Sequence, residues 1–372
     1  MEMKMLLRMM ADNKASDLFI SAHCAPSLKI KGVLKSVGNE SLTEQQSKEL
    51  VYGCMIPEQI FEFETTLECN FGLEEDGLGR FRVSAFKQRG YVGMVVRRIE
   101  TYIPTIEELN LPNILKKLVL LNRGLVLIVG ATGCGKTTSL ASMLGYRNTH
   151  GTGHIVSIED PIEYLHEHGS CIITQREVGL DTKSYEVGLK NTLRQAPNVV
   201  LIGEIRDQST MAHAISFSET GHLCMSSLHA ANASQALDRI LSFFPEQKHK
   251  QLLTDLSLNL QAIVAQRLIP TKDKSGYYPA IEILLNTPLV AEHIQKGEIH
   301  ALADVVRSSE QYGMISFDQH LVRLCRRDII SEQSALKYAE SENDVRIELM
   351  RDVAVDHAQP NSRLAGVTLL DL

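Results

Sequence analysis

No apolar run in the 372-residue chain approaches the roughly 20 residues that a helix needs to cross a bilayer. The opening Met1-Glu2-Met3-Lys4-Met5-Leu6-Leu7-Arg8 has neither a secretory hydrophobic core nor a cleavage site, so a soluble chain is expected, one able to dock at a membrane surface. Cysteine is sparse and unpatterned. Cys24, Cys54, Cys69, Cys134, Cys171, Cys224 and Cys325 are odd in number and form no C-x-x-C pair, which disfavours a disulfide framework and favours reduced thiols in cytoplasm. Basic surplus is also lacking. With 38 Lys+Arg against 45 Asp+Glu the net charge is -7, and no stripe interleaves basic with aromatic residues, so no nucleic-acid partner is expected. There is no internal repeat and no low-complexity tract. The 44% apolar content is ample for buried cores, and the length suggests two or three domains.

What is present centres on Gly130-Ala131-Thr132-Gly133-Cys134-Gly135-Lys136-Thr137, which spells the phosphate-binding loop G-x-x-x-x-G-K-S/T. The apolar run Leu125-Val126-Leu127-Ile128-Val129 before it reads as a buried parallel strand, and Ser139 to Leu144 after it reads as a helix. In that order, backbone N–H groups of Gly130, Thr132, Gly133, Cys134 and Gly135 can approach phosphate oxygens at a helix N-terminus. Lys136 would reach the β and γ phosphates, Thr137 would offer its hydroxyl to magnesium, and Thr138 completes the cradle. ATP with Mg2+ is the expected ligand.

Residues 1–100 mix short strands such as Leu28-Lys29-Ile30 with a helix from Glu44 to Cys54 and the alternation Phe81, Val83, Ala85, which predicts a small α/β domain. Residues 101–112 carry Pro104 and Pro112 and read as a linker with one short helix capped by Thr105 and Glu108. Over 113–345, strands at Gly124 to Val129, Ile155 to Glu159, Val199 to Gly203 and His222 to Ser227 alternate with helices, predicting a mostly parallel sheet covered on both faces. From about Asp273 the pattern turns helical, with Leu321, Leu324 and Cys325 in one stripe, and 346–372 reads as a flexible tail.

An NTPase also needs an acid near its magnesium and a group that activates the attacking water. Glu204 closes the apolar run Val199 to Gly203 and fits the metal-side acid, against the alternative of a surface glutamate in an ion pair. Ile158-Glu159-Asp160-Pro161-Ile162-Glu163 sets three carboxylates past another strand; it favours a nearby cation or shared proton, unless it is a solvated turn. His222 and His229 flank a further strand, at whose end a neutral or charged imidazole can sense a γ phosphate, unless each is merely structural.

These segments together, with Gln175-Arg176-Glu177-Val178-Gly179, Ile202 to Asp207, Glu219-Thr220-Gly221-His222-Leu223 and Leu228-His229-Ala230, resemble the secretion-superfamily traffic ATPases. Ala15-Ser16-Asp17-Leu18 and Gly79 to Phe86 narrow the resemblance to the retraction branch of type IV pilus motors, PilT and PilU, over nearly all of residues 1–345. Leu193-Arg194-Gln195-Ala196-Pro197-Asn198, the stretch Leu228 to Ile240 and the long C-terminal extension are similar to the PilU side of that branch.

The resemblance implies a PAS-like N-terminal domain before a RecA-like ATPase domain. It implies that Glu163 activates water, that Glu204 belongs to the Walker B element beside magnesium, that His229 lies in a His box, and that Arg80, with Arg82, and Arg97, with Arg98, approach the γ phosphate as a clamp; solvated arginines on an exposed strand are the alternative. It further implies a homo-hexamer at the cytoplasmic base of the pilus, a PilT-type paralogue and a PilC-type inner-membrane platform protein as partners, and work in retraction and twitching motility. Three positions depart from the family pattern. Phe19 stands where histidine is common, Cys134 where serine is usual, and Leu289 to Lys296 lacks the signature Ala-Ile-Arg-Asn-Leu-Ile-Arg-Glu. The last departure leaves open an accessory subunit that binds nucleotide without much turnover. A RecA-like DNA translocase shares the sheet and loop but is disfavoured by the charge.

Overall fold

Phe81, Val83 and Ala85 all turn into the core from one face of β5 (Gly79–Gln88) in a computed structural model that describes residues 2–99 and 102–356. The chain divides into two compact units, Met1–Thr105 with Leu144–Glu204 and Ile106–Met143 with Ile205–Leu372.

In the first unit, β1 (Asp17–Ile20), β2 (Ser27–Ile30), β3 (Val33–Ser36), β4 (Glu68–Glu75), β5 and β6 (Tyr91–Arg98) form an antiparallel sheet in the order β3-β2-β1-β6-β5-β4. Leu6, Leu7 and Met10 of the helix Met3–Asp12 and Phe63 of the helix Pro57–Thr66 share its core with Phe71, Phe81 and Met94. The helix Glu44–Tyr52 starts at a reciprocal capping box, in which Thr43 Oγ1 accepts from the Gln46 N–H and Gln46 Oε1 from the Thr43 N–H. Buried Ser47 donates to Val92 O at 2.6 Å and pins that helix to β6. The same unit holds a parallel ladder, β10 (Val199–Glu204), β8 (Gly153–Glu159) and β9 (Cys171–Glu177), in that lateral order.

In the second unit β13 (Tyr277–Leu285), β12 (Leu260–Pro270), β7 (Gly124–Val129) and β11 (Leu223–Leu228) lie side by side in that order. β7 is buried at every residue and pairs in parallel with β11 and β12, as a continuous apolar strand requires. The helical reading from Asp273 onward is corrected at once by β13, which returns antiparallel along β12. Its residues Pro279 to Leu284 are all buried, so no polar alternation marks the strand. Helices do follow at Phe317–Arg326, Glu332–Tyr338 and Glu342–Asp356, with Leu321 and Leu324 buried and Cys325 half-buried. The segment expected to carry a short linker helix is a run of turns over 106–110, closed by the Leu111 N–H on Ile106 O. The tail expected from 346 begins inside the helix Glu342–Asp356, and the expectation beyond it falls outside the described residues. Among the described residues no helix is long and apolar enough to cross a membrane.

Candidate functional site

In the second unit, β7 ends at Val129 and the helix Lys136–His150 begins at Lys136, with the glycine-rich loop curled between them. Gly130 has φ +157°, and a Cβ there would stand 2.4 Å from Cys134 Sγ and 2.6 Å from Gln266 O, so the curl closes only without a side chain. Lys136 is buried inside the curl, where its Nζ donates to Gly130 O at 3.0 Å and Ala131 O at 2.9 Å. Thr132 and Gly133 are exposed at the rim, while Gly135, Thr137 and Thr138 are half-buried. Cys134 is buried; desolvation raises its thiol pKa and outweighs the opposing pull of Lys136, which keeps the sulfur neutral. A cleft of about 580 Å³ is bounded by residues 130–134 of the loop with Arg267, Tyr277 and Tyr338, a size suited to a nucleotide. Past β11, His229 is exposed. His222 is tied down at the other end of that strand, its Nδ1 lying 3.0 Å from Thr220 Oγ1 and 3.3 Å from Phe217 O, a structural setting.

In the first unit the acidic segment leaves β8 at Glu159. This carboxylate is buried, and its Oε1 accepts from Ser157 Oγ at 2.7 Å and Gln175 Nε2 at 3.2 Å. Burial nevertheless pushes its pKa up to about 7, with Glu163 and Glu177 adding repulsion, so a proton is held there near neutrality. Asp160 and Glu163 are exposed beyond it, across a cis Asp160-Pro161 bond. Glu177 ends β9 in register with Glu159 and accepts from the Ile162 N–H at 3.2 Å. Burial raises the pKa of Glu177 too, while the guanidiniums of Arg82 and Arg80 pull it down. Those arginines occupy the outer face of β5, alternating with buried Phe81 and Val83. Gly72 on β4 leaves room for Arg80, whose Nη2 would lie 3.4 Å from a Cβ there.

The structure thus gathers Glu159, Glu163, Glu177, Arg80 and Arg82 into one charged group. Arg97 instead pairs with Asp17 across the strand pair, at 2.8 Å. Glu204, the last residue of β10, is half-buried. Sequence reasoning gave no role to Glu177, although Gln175 to Gly179 was part of the resemblance, and it gave none to Gln266, for which no motif speaks.

Residues 88–357 match the family described as Type II/IV secretion system protein. The chain is 55% identical to the type IV pilus ATPase PilU of Pseudomonas aeruginosa over 99% of its own length and 97% of that protein. It is 36% identical to the type IV pilus retraction ATPase PilT of the same organism, over 91% of this chain and 98% of that one. The crystal structure of the pilus retraction motor PilT with bound ADP superposes with a TM-score of 0.87 at 31% identity, covering 93% of this chain and 99% of that one. The antiparallel N-terminal sheet, the parallel-rich sheet that carries the glycine loop and these matches agree, and the chain belongs to the type IV pilus retraction ATPase family.

Proposed function

We propose that the protein is a cytoplasmic ATPase motor of the PilU kind, coupling ATP hydrolysis to type IV pilus retraction and twitching motility. The observation that carries this reading is the glycine loop folded around Lys136, at the end of a fully buried strand and the start of a helix. There the loop's N–H groups and the ammonium meet the phosphates of ATP, Lys136 exchanging its carbonyl contacts for phosphate oxygens.

A magnesium ion carried on the nucleotide phosphates would take Thr137 and Glu204 as its protein-side partners. Magnesium would neutralise charge on the β and γ phosphates. Glu163, exposed at the end of the acidic segment, takes the proton of the attacking water, and Arg80, with Arg97 as its candidate neighbour in the clamp, stabilises charge on the γ phosphate. His229 senses that phosphate from the end of β11.

We read residues 1–100 as a PAS-like domain, 101–112 as a hinge, 113–345 as the ATPase domain and 346–372 as a tail. Six copies would form the ring, working with a PilT-type paralogue on a PilC-type platform protein at the inner-membrane face. The segment Leu289 to Lys296, which lacks the retraction signature, favours a second reading: an accessory subunit that holds nucleotide and docks on the primary motor.

ATP turnover by the purified chain, alone and with the paralogue, tests the two against each other, with Lys136→Ala as the blank. Turnover well above the blank is expected. Turnover equal to the blank in both settings would overturn the motor reading and leave the accessory one.

A further inference from the structure

Gln266 follows Ala265 on β12, and Ala265 pairs with Val129 on β7, so the register sets Gln266 alongside Gly130 at the mouth of the phosphate loop. Its side chain is buried and uses both ends of its amide. Oε1 accepts from Ser139 Oγ at 2.7 Å, and Nε2 donates to Cys134 O at 2.7 Å. The carbonyl can only accept, which fixes Nε2 toward Cys134 and leaves Oε1 for the serine. The same residue closes the loop from below. Its backbone oxygen fills the space a Gly130 side chain would need, and its Nε2 would lie 2.9 Å from a Cβ on Gly135.

In a planar trans peptide the C=O and the following N–H point in opposite directions. Holding Cys134 O against Gln266 therefore turns the Gly135 N–H away from Gln266. We propose that Gln266 is a positioning residue for nucleotide binding, which aims the Gly135 N–H at the phosphate through its bond to Cys134 O and is itself oriented by Ser139. The inference rests on the nucleotide-binding reading above and deepens it. Both ends of the Gln266 amide are engaged by Ser139 and Cys134, so its side chain acts through the direction of the Gly135 N–H.

The test is equilibrium binding of a fluorescent ADP analogue to the full chain, with Lys136→Ala as the blank. Gln266→Met keeps the bulk and removes the amide; it is expected to weaken binding about tenfold or more under conditions where the variant is fully folded, its unfolding midpoint lowered by the orphaned Cys134 carbonyl and Ser139 hydroxyl. Gln266→Glu supplies a readout that lost packing would not give. Protonated, the new carboxyl can donate to Cys134 O and accept from Ser139; ionised, it repels that carbonyl and the phosphate. Burial raises its pKa, so binding by this variant is expected to be near wild type at about pH 6 and to fall about tenfold by about pH 8, where wild type changes little.

Binding by Gln266→Met within about twofold of wild type, or a Gln266→Glu profile parallel to wild type, would overturn the proposal. Wild type no better than the Lys136→Ala blank would instead overturn nucleotide binding itself, so the two failures are distinct. Should Gln266→Met fail to fold, the pH profile of Gln266→Glu still decides.

Discussion

Arg97 on β6 stands directly opposite Asp17 on β1, and its Nε donates to Asp17 Oδ1 at 2.8 Å. The aspartate is almost wholly buried and also accepts from Ser16 Oγ at 2.9 Å, with Lys29 Nζ at 3.9 Å. Arg97 therefore satisfies a buried carboxylate before it can serve as a phosphate clamp. Arg97→Ala is expected to destabilise the protein by about 1 kcal/mol, at the low end for an orphaned buried acceptor because Ser16 and Lys29 stay in place. Urea unfolding checks this, and the loss should shrink in an Asp17→Asn background. A fall in activity without any shift in midpoint would show that the ion pair carries no stability.

Glu282 on β13 gives the second expectation. Its carboxylate is buried and accepts from the Ala233 N–H at 2.8 Å, yet its pKa is pushed from 4.5 up to about 7, by burial first and then by Glu340, with Arg267 opposing. The native state thus holds a proton that the unfolded chain gives up near pH 4.5. The stability this contributes is complete below 4.5 and is lost as pH rises through about 7, at most about 3 kcal/mol. Glu159 adds a dependence of the same sign. Glu282→Gln keeps an oxygen for Ala233 and removes the titration, so its melting temperature should fall less than that of wild type between pH 5 and pH 8 and be the higher of the two at pH 8. Equal slopes would show that Glu282 is ionised at neutrality.

The contrast between these residues shows what the sequence could disclose. The glycine loop was legible because its spacing encodes backbone conformation locally: Gly130, Gly133 and Gly135 all have positive φ. β7 was legible because six buried residues in a row leave an uninterrupted apolar run. β13 was not, since a buried glutamate and a proline interrupt a strand whose two faces are both covered. Glu177 and Gln266 take their roles from strand register. Gln266 meets Cys134 from 132 positions away, and no local pattern announces that pairing.

The glycines of the loop differ in why they must be glycine. At Gly130 a methyl group would collide with Cys134 Sγ and with the backbone oxygen of Gln266, which β12 holds in place. At Gly133, φ is +77° but nothing lies within 4 Å of a Cβ. Gly133→Ala is therefore expected to cost about 1 kcal/mol, the strain of a left-handed residue alone. Gly130→Ala should cost roughly 3 kcal/mol, because overpacking adds to the strain. Chemical denaturation of the two variants measures the difference, and equal losses would mean that the loop yields at Gly130.

Cys134 replaces the serine common at its position, and the structure gives a reason for tolerance. The loop offers ligands its backbone N–H groups, and Cys134 is held through its carbonyl by Gln266, while its sulfur packs beside Gly130. Burial keeps the thiol protonated despite nearby Lys136, and only the thiolate attacks electrophiles. Cys134→Ser is thus expected to bind ADP within about threefold of wild type. In the wild-type protein, iodoacetamide should label Cys134 far more slowly than exposed Cys24, as read by mass spectrometry of timed digests. Labelling at equal rates would mean that the loop opens readily to solvent, and the contacts that close it around Lys136 would then be weaker than their geometry indicates.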